Sequence, residues 1–236
     1  MSQRSVLITG GSSGIGRATA LRLASQGYRV AVTFRTSEPP DGVLAVKCDV
    51  ADPASLEAAF KEVEAAHGPV EVLICSAGTI ADQLLLRMTP DLLDRVLGTN
   101  LVGPILAARL AARKMMIKRW GRIIFVSSVV GMRGEAGQVN YAAAKAGLIG
   151  AARSMARELG SRGITINVVS PGLTDTNMLR STIGPEKAAQ MAAELPVPRV
   201  GTPDEVAAAI AFLASDDAAY ITGAILPVDG GAGMGH

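Results

Sequence analysis

The sequence predicts an α/β protein built on a doubly wound parallel sheet of about seven strands with helices on both faces. Three observations lead there. Short β-rich runs alternate with longer amphipathic stretches along most of the 236 residues, the pattern of strands joined by crossover helices. The run Ile123-Ile124-Phe125-Val126 is apolar without a break, as a strand covered on both faces requires. A glycine-rich loop also separates the first strand-like run from the first helical stretch.

Strand-like runs fall at residues 5–9, 29–34, 43–48, 70–75, 122–127, 165–170 and 224–228, with helical stretches at 16–26, 55–66, 92–118 and 139–160. Pro39-Pro40-Asp41-Gly42 reads as a turn between the second and third strands. Residues 174–198 are less regular, which suits a lid over a site at the strand ends or an ordinary surface excursion. No repeat or low-complexity linker interrupts the chain, so residues 1–236 read as one domain.

Hydrophobic residues make up 49% of the chain and aromatics only 3%, so the core is expected to be aliphatic. A formal net charge of +2 from intermixed signs gives no reason to expect a nucleic-acid or anionic-membrane partner. No uncharged apolar run is long enough to span a membrane, and the run after Met1-Ser2-Gln3-Arg4-Ser5 is too short for a signal-peptide core. Cys48 and Cys75 each end a strand-like run and read as buried thiols in a reducing compartment. His67 and His236 lack a cysteine partner at metal spacing, so no metal site is expected. These features point to a cytoplasmic protein.

The first loop reads Thr9-Gly10-Gly11-Ser12-Ser13-Gly14-Ile15-Gly16. Glycines there let backbone N–H groups approach a pyrophosphate at a helix N-terminus, although a glycine-rich loop by itself can be only a tight turn. The T-G-x-x-x-G-x-G spacing resembles the short-chain dehydrogenase/reductase family, which has a Rossmann-type fold. The resemblance implies nicotinamide dinucleotide binding by Gly10, Ser12, Ser13, Gly14, Ile15 and Gly16. At the end of the second strand, where an acidic residue would accept from a ribose 2′-hydroxyl, stands Arg35. A guanidinium suits a 2′-phosphate and favours NADPH; the nearby Glu38 leaves NADH open, and a solvated loop arginine is the plain alternative. Asp49, followed by Val50, resembles the family's adenine-contacting aspartate, and without the family it would merely cap the next helix. Strand four ends Cys75-Ser76-Ala77-Gly78, where the family pattern is N-N-A-G. Ser76 is the clearest departure, and Gly78 still allows close approach to the nicotinamide ribose.

Thirteen residues beyond Ser128 comes Tyr141, and Lys145 follows four residues later in a helical pattern, which puts the last two on one face. Hydride delivered to a ketone carbon leaves an oxyanion that needs a proton. A phenol with a pKa near ~10 donates slowly unless its conjugate base is stabilised, and a lysine ammonium within a few ångströms is expected to lower that pKa. Ser128 is expected to hydrogen-bond the same oxygen. The S-x12-Y-x3-K pattern resembles the family's active site, and Asn100 matches its fourth catalytic residue, which holds a water linking the lysine to solvent. Ser170-Pro171-Gly172-Leu173-Thr174-Asp175-Thr176 resembles the family's loop at the nicotinamide carboxamide, implying contacts from Pro171, Gly172, Thr174 and Thr176.

Within the family, the segments 137–150, 164–172 and 223–236 look most like bacterial 3-oxoacyl-[acyl-carrier-protein] reductases, especially the mycobacterial type at V-D-G-G-x-G-M-G-H. That likeness implies NADPH-dependent reduction of a 3-oxoacyl thioester in fatty acid biosynthesis. It also implies that Arg119 and Arg162 dock the acidic carrier protein near the pocket mouth, though arginine at a helix C-terminus is favoured in any case. Met178, Leu179, Ile183 and Met191 are candidates for an acyl groove or for packing. A ketoreductase of a polyketide or other secondary pathway would use the same residues. A cofactor-sensing regulator on the same fold need not keep a catalytic set. Family members are commonly tetramers, so a homotetramer is expected, with the C-terminal segment joining an interface.

Overall fold

The computed structural model describes residues 4–234. Seven strands, β1 (Ser5–Thr9), β2 (Arg29–Phe34), β3 (Leu44–Lys47), β4 (Val72–Cys75), β5 (Gly121–Val126), β6 (Ile164–Pro171) and β7 (Ile225–Val228), form one parallel sheet in the order β3-β2-β1-β4-β5-β6-β7. The chain reverses its direction of travel across the sheet between β1 and β4. In open sheets of this kind ligands bind outside the carboxyl ends of the strands at that point.

The helices are α1 (Gly14–Ser25), α2 (Pro53–His67), α3 (Pro90–Leu97), α4 (Gly103–Lys118), α5 (Val130–Arg133), α6 (Val139–Leu159), α7 (Asn177–Thr182), α8 (Pro185–Ala193) and α9 (Pro203–Ala214). Successive strand residues point to opposite faces, so each face has its own core. Leu7, Phe125, Leu56, Phe60 and Leu148 pack on the side of α2, α4 and α6. Val6, Ile8, Ile124, Leu23, Val206 and Ile210 pack on the side of α1 and α9. Burial on both faces is the reason these strands carry no polar alternation. No helix among the described residues is long and apolar enough to cross a membrane.

The structure alters two sequence expectations. The helix foreseen at 92–118 is broken: α3 ends at Leu97, residues Gly98–Val102 form a π-helical turn, and α4 starts at Gly103. Asn100 causes part of this, because its fully buried amide donates to the Val96 carbonyl at 2.9 Å and ties the turn inward. The irregular stretch 174–198 folds largely into α7 and α8. Its base is pinched shut by a parallel bridge between Thr174 and Gly201, with Asp175 N donating to Gly201 O at 2.9 Å. Thr176 caps α7 by accepting from Leu179 N at 3.3 Å.

Candidate active site

A cavity of about 1070 Å³ opens along the carboxyl ends of the strands. The residues Gly10, Ser12, Ser13, Gly14, Ile15, Arg35, Asp49, Val50, Gly78, Ser128, Tyr141, Lys145, Pro171, Gly172, Thr174 and Thr176 all line it. Met178, Leu179, Ile183 and Met191 line it too, from α7, α8 and the turn between them.

The dinucleotide half is shaped by what glycine omits. Gly10 turns with φ +67°, and a Cβ there would stand 2.6 Å from Ala77 Cα. A Cβ on Gly16 would collide with the Gly10 carbonyl, so Gly16 serves the loop from behind rather than from the cavity. Ser13 is the N-cap of α1 but makes no side-chain cap bond, leaving its hydroxyl and the first turn's N–H groups for an anion. Donor set and cradle both fit a pyrophosphate. Thr176 closes the crevice from the other side, its Cγ2 3.1 Å from where a Gly14 Cβ would be.

Arg35 and Asp49 face each other at 3.9 Å with side chains 65% and 45% exposed. A pair that long and that wet contributes little, so Arg35 is free to take another anion. Asp49 does not cap α2. Its Oδ1 accepts from Ala51 N at 3.0 Å, while Asp52 caps the helix through Ala54 N at 2.9 Å. At Ser76 the join between β1 and β4 relies on Thr9, whose carbonyl accepts from Ser76 N at 3.1 Å and whose hydroxyl accepts from Ala77 N at 3.4 Å.

In the candidate catalytic half, Ser128 follows the end of β5, its Oγ accepting from Val130 N at 3.2 Å and standing near enough to the Tyr141 hydroxyl to favour its ionised form. Lys145 is 5% exposed, and its Nζ donates to the Val126 carbonyl at 2.8 Å. Two contacts unsuspected from sequence hold this helix in place. Ser127 Oγ donates to the Lys145 carbonyl at 2.8 Å, and Asn140 Oδ1 accepts from Tyr141 N at 2.7 Å. Both are single polar residues without a motif, so nothing in the chain's pattern singled them out.

The electrostatics correct one expectation. Burial pushes the Tyr141 phenol up to about 12; the Ser128 hydroxyl only partly opposes this, and the charge of Asp82 adds to it. Burial also brings Lys145 down to about 8, with the Cys75 thiol opposing. Burial thus outweighs any acidification of the resting phenol. Its ammonium stands 5.5 Å from the Tyr141 ring centroid and is engaged with a backbone carbonyl rather than with the hydroxyl.

Asn100 lies behind the cavity wall. Its amide donates to Thr79 O at 2.8 Å and accepts from Thr79 N at 3.2 Å, so its side chain clasps the segment after Gly78. Arg119 and Arg162 are corrected in position. They stand together at the amino ends of β5 and β6, with Arg119 Nη2 donating to Ser161 O at 3.1 Å. A six-residue strand at ~3.3 Å per residue puts them roughly 20 Å from Ser128, so within one chain they do not flank the pocket mouth. The C-terminal turn lines the cavity of its own chain through Gly231, Ala232 and Met234; Gly235 and His236, part of the C-terminal likeness, lie outside the described residues.

The comparisons agree with this geometry. A family model described as enoyl-(acyl carrier protein) reductase matches residues 10–233. The chain is 53% identical to the 3-oxoacyl-[acyl-carrier-protein] reductase MabA of Mycobacterium avium, covering 99% of this chain and 91% of that protein. It is 46% identical to the 3-oxoacyl-[acyl-carrier-protein] reductase FabG of Escherichia coli, covering 97% and 96%. Among solved structures, levodione reductase superposes with a TM-score of 0.95 at 33% identity over 100% of both chains. The ligand-free aldohexose dehydrogenase of Thermoplasma acidophilum gives 0.94 at 30% identity, covering 99% and 95%.

Proposed function

The chain belongs to the short-chain dehydrogenase/reductase family, and from that premise we propose that it reduces 3-oxoacyl thioesters on acyl carrier protein to 3-hydroxyacyl thioesters for fatty acid biosynthesis, using NADPH in the cytoplasm. The observation that carries this is that Ser128, Tyr141 and Lys145 line the same cavity as the glycine loop. The bound dihydronicotinamide supplies the hydride.

The protein's own part is to hold the ketone and deliver a proton. Ser128 Oγ and Tyr141 Oη both donate to the ketone oxygen, where negative charge gathers as the carbon is reduced. Tyr141, with its pKa near 12, is fully protonated at neutral pH and so loaded as an acid. When its proton passes to the alkoxide, a phenolate appears in a nearly dry site, and the Lys145 ammonium is the cation beside it. The lysine thus acts on the product of proton transfer rather than on the resting phenol. Arg35 is the group for a 2′-phosphate.

A homotetramer fits the exposed apolar side chains Leu86 and Ile117, 98% and 79% exposed in the single chain. Carrier docking on Arg119 and Arg162 then serves the pocket of a neighbouring copy, since it is too far from their own. Alanine at both positions should raise KM for the carrier-linked substrate and leave that for a small thioester alone.

NADPH oxidation should be fast with acetoacetyl and longer 3-oxoacyl thioesters and absent with the matching enoyl thioesters. Turnover of enoyl substrates alone would replace the proposal with the activity in the family model's description. Exclusive turnover of branched or aromatic oxoacyl chains would favour a secondary pathway.

A further inference from the structure

Gln138 is an unusual residue for its place. It is the N-cap of α6, where Ser, Thr, Asp or Asn ordinarily bonds the first turn, yet its side chain makes no cap bond. Instead it is 8% exposed and lines the cavity about one turn before Tyr141. Its Nε2 donates to Asp82 Oδ2 at 3.1 Å.

Asp82 is held in that position from both sides. Asn140 Nδ2 donates to Ala81 O at 3.0 Å, and Gln83 N donates to Gly137 O at 2.8 Å. Three residues before Asp82, Thr79 is clasped by Asn100. Asp82 also lines the cavity, and its charge reaches the Tyr141 phenol, so the pair stands on the reacting side. A carboxylate can only accept, which decides how the glutamine amide is turned: its NH2 group faces Asp82. One amide hydrogen is used there. The second has no partner among the described residues.

We propose that Gln138, oriented by Asp82, donates this second hydrogen to the thioester carbonyl of the substrate, making the pair the determinant that selects ketones bearing a second acceptor oxygen one methylene away. The proposal rests on the reductase function above and adds the group that recognises its substrate class. Ser128 and Tyr141 hold the oxygen being reduced, and Gln138 holds its neighbour. A ketone without the second oxygen leaves a nearly buried donor unpaired, which is how a polar site rejects an otherwise fitting molecule.

The test is the ratio of kcat/KM for acetoacetyl thioester to that for cyclohexanone, with NADPH affinity followed by fluorescence. Gln138→Leu should lower this ratio about ten-fold. Asp82→Asn, which lets the amide turn either way, should lower it by a smaller factor. Rates that fall together on both substrates, or do not move, overturn the proposal and leave Gln138 a structural residue. Should Gln138→Leu lose NADPH binding, the exposed-loop variant Asp82→Asn decides alone. Wild-type protein unable to reduce the thioester would defeat the reductase function itself. Good thioester turnover with an unmoved ratio would defeat only the role of Gln138.

Discussion

Strand β5 meets a buried cation at each end, and the two are held in opposite ways. At its amino end Arg122, 2% exposed, donates to the carbonyls of Ser215 and Gly121 at 3.1 and 3.0 Å. It also faces Asp216 at 3.6 Å and lies over the Trp120 ring at 4.4 Å, with Arg4 on the same ring at 3.9 Å. At its carboxyl end Lys145 is as deeply buried but donates to a single carbonyl, and burial brings it down to about 8. Burying a charge is costly unless it is paired and hydrogen-bonded. The fold satisfies that rule at one end of the strand and leaves it unmet at the other. On the proposed mechanism the underpaired cation beside a phenol is the functional one, and the saturated cation beside a tryptophan is structural.

Replacing each cation with methionine should separate the two roles. Lys145→Met is expected to lower kcat by roughly 10²–10⁴-fold, the usual range for losing a group that assists proton transfer, without lowering the thermal midpoint. Steady-state rates and a melting curve check both halves. Arg122→Met should leave kcat within a few-fold. It should cost about 3 kcal/mol by leaving the Gly121 and Ser215 carbonyls without their guanidinium donor, Asp216 keeping its 2.9 Å partner Arg4; that is a fall on the order of 6–12 °C in melting temperature for a chain of this size. If Arg122→Met melts like wild type, the contrast between the two ends fails.

Titration sharpens the comparison. On the proposed mechanism ketone reduction needs Tyr141 protonated and Lys145 charged, so kcat should hold near neutrality and fall as pH rises through about 8, up to ~10-fold per unit. Stability should move the other way. Below about 8 the lysine is charged in both folded and unfolded states, and the full burial penalty is present. From about 8 to its ordinary value of 10.5 the unfolded chain binds more protons, so this lysine's contribution grows more favourable with rising pH. Wild type should gain on Lys145→Met in melting temperature as pH rises from 7 to 10; wild type losing ground over that range would reverse the sign.

The smallest effect concerns a third cation. Arg35 is exposed and loosely paired with Asp49, so Arg35→Ala should leave the melting temperature unchanged and raise KM for NADPH by about ten-fold, while sparing NADH. Equal loss with both cofactors would remove Arg35 from the 2′-phosphate site.

Much of this was readable along the chain because it depends on local pattern. Strand and helix periods placed the sheet. The Gly10–Gly16 spacing marked the switch point, and the Tyr141–Lys145 interval marked one helix face. Asn100 was visible as a residue but not as the clasp of a π-helical turn, since no local signal distinguishes an inserted helical residue from an ordinary one. Arg119 and Arg162 were legible as basic residues near helix ends. Which end of the sheet those helices reach follows from the parallel register of β5 and β6.

By itself the sequence determined the α/β class, the candidate dinucleotide loop and the candidate proton-transfer residues, because each is encoded in spacings of a few residues along one element. Tertiary structure alone decided how those residues are charged and who supports them. Burial set Tyr141 near 12 and Lys145 near 8, and Asp82 reached Gln138 across 56 positions of chain. Desolvation and long-range hydrogen bonds depend on which surfaces meet in three dimensions, and no one-dimensional period carries that information.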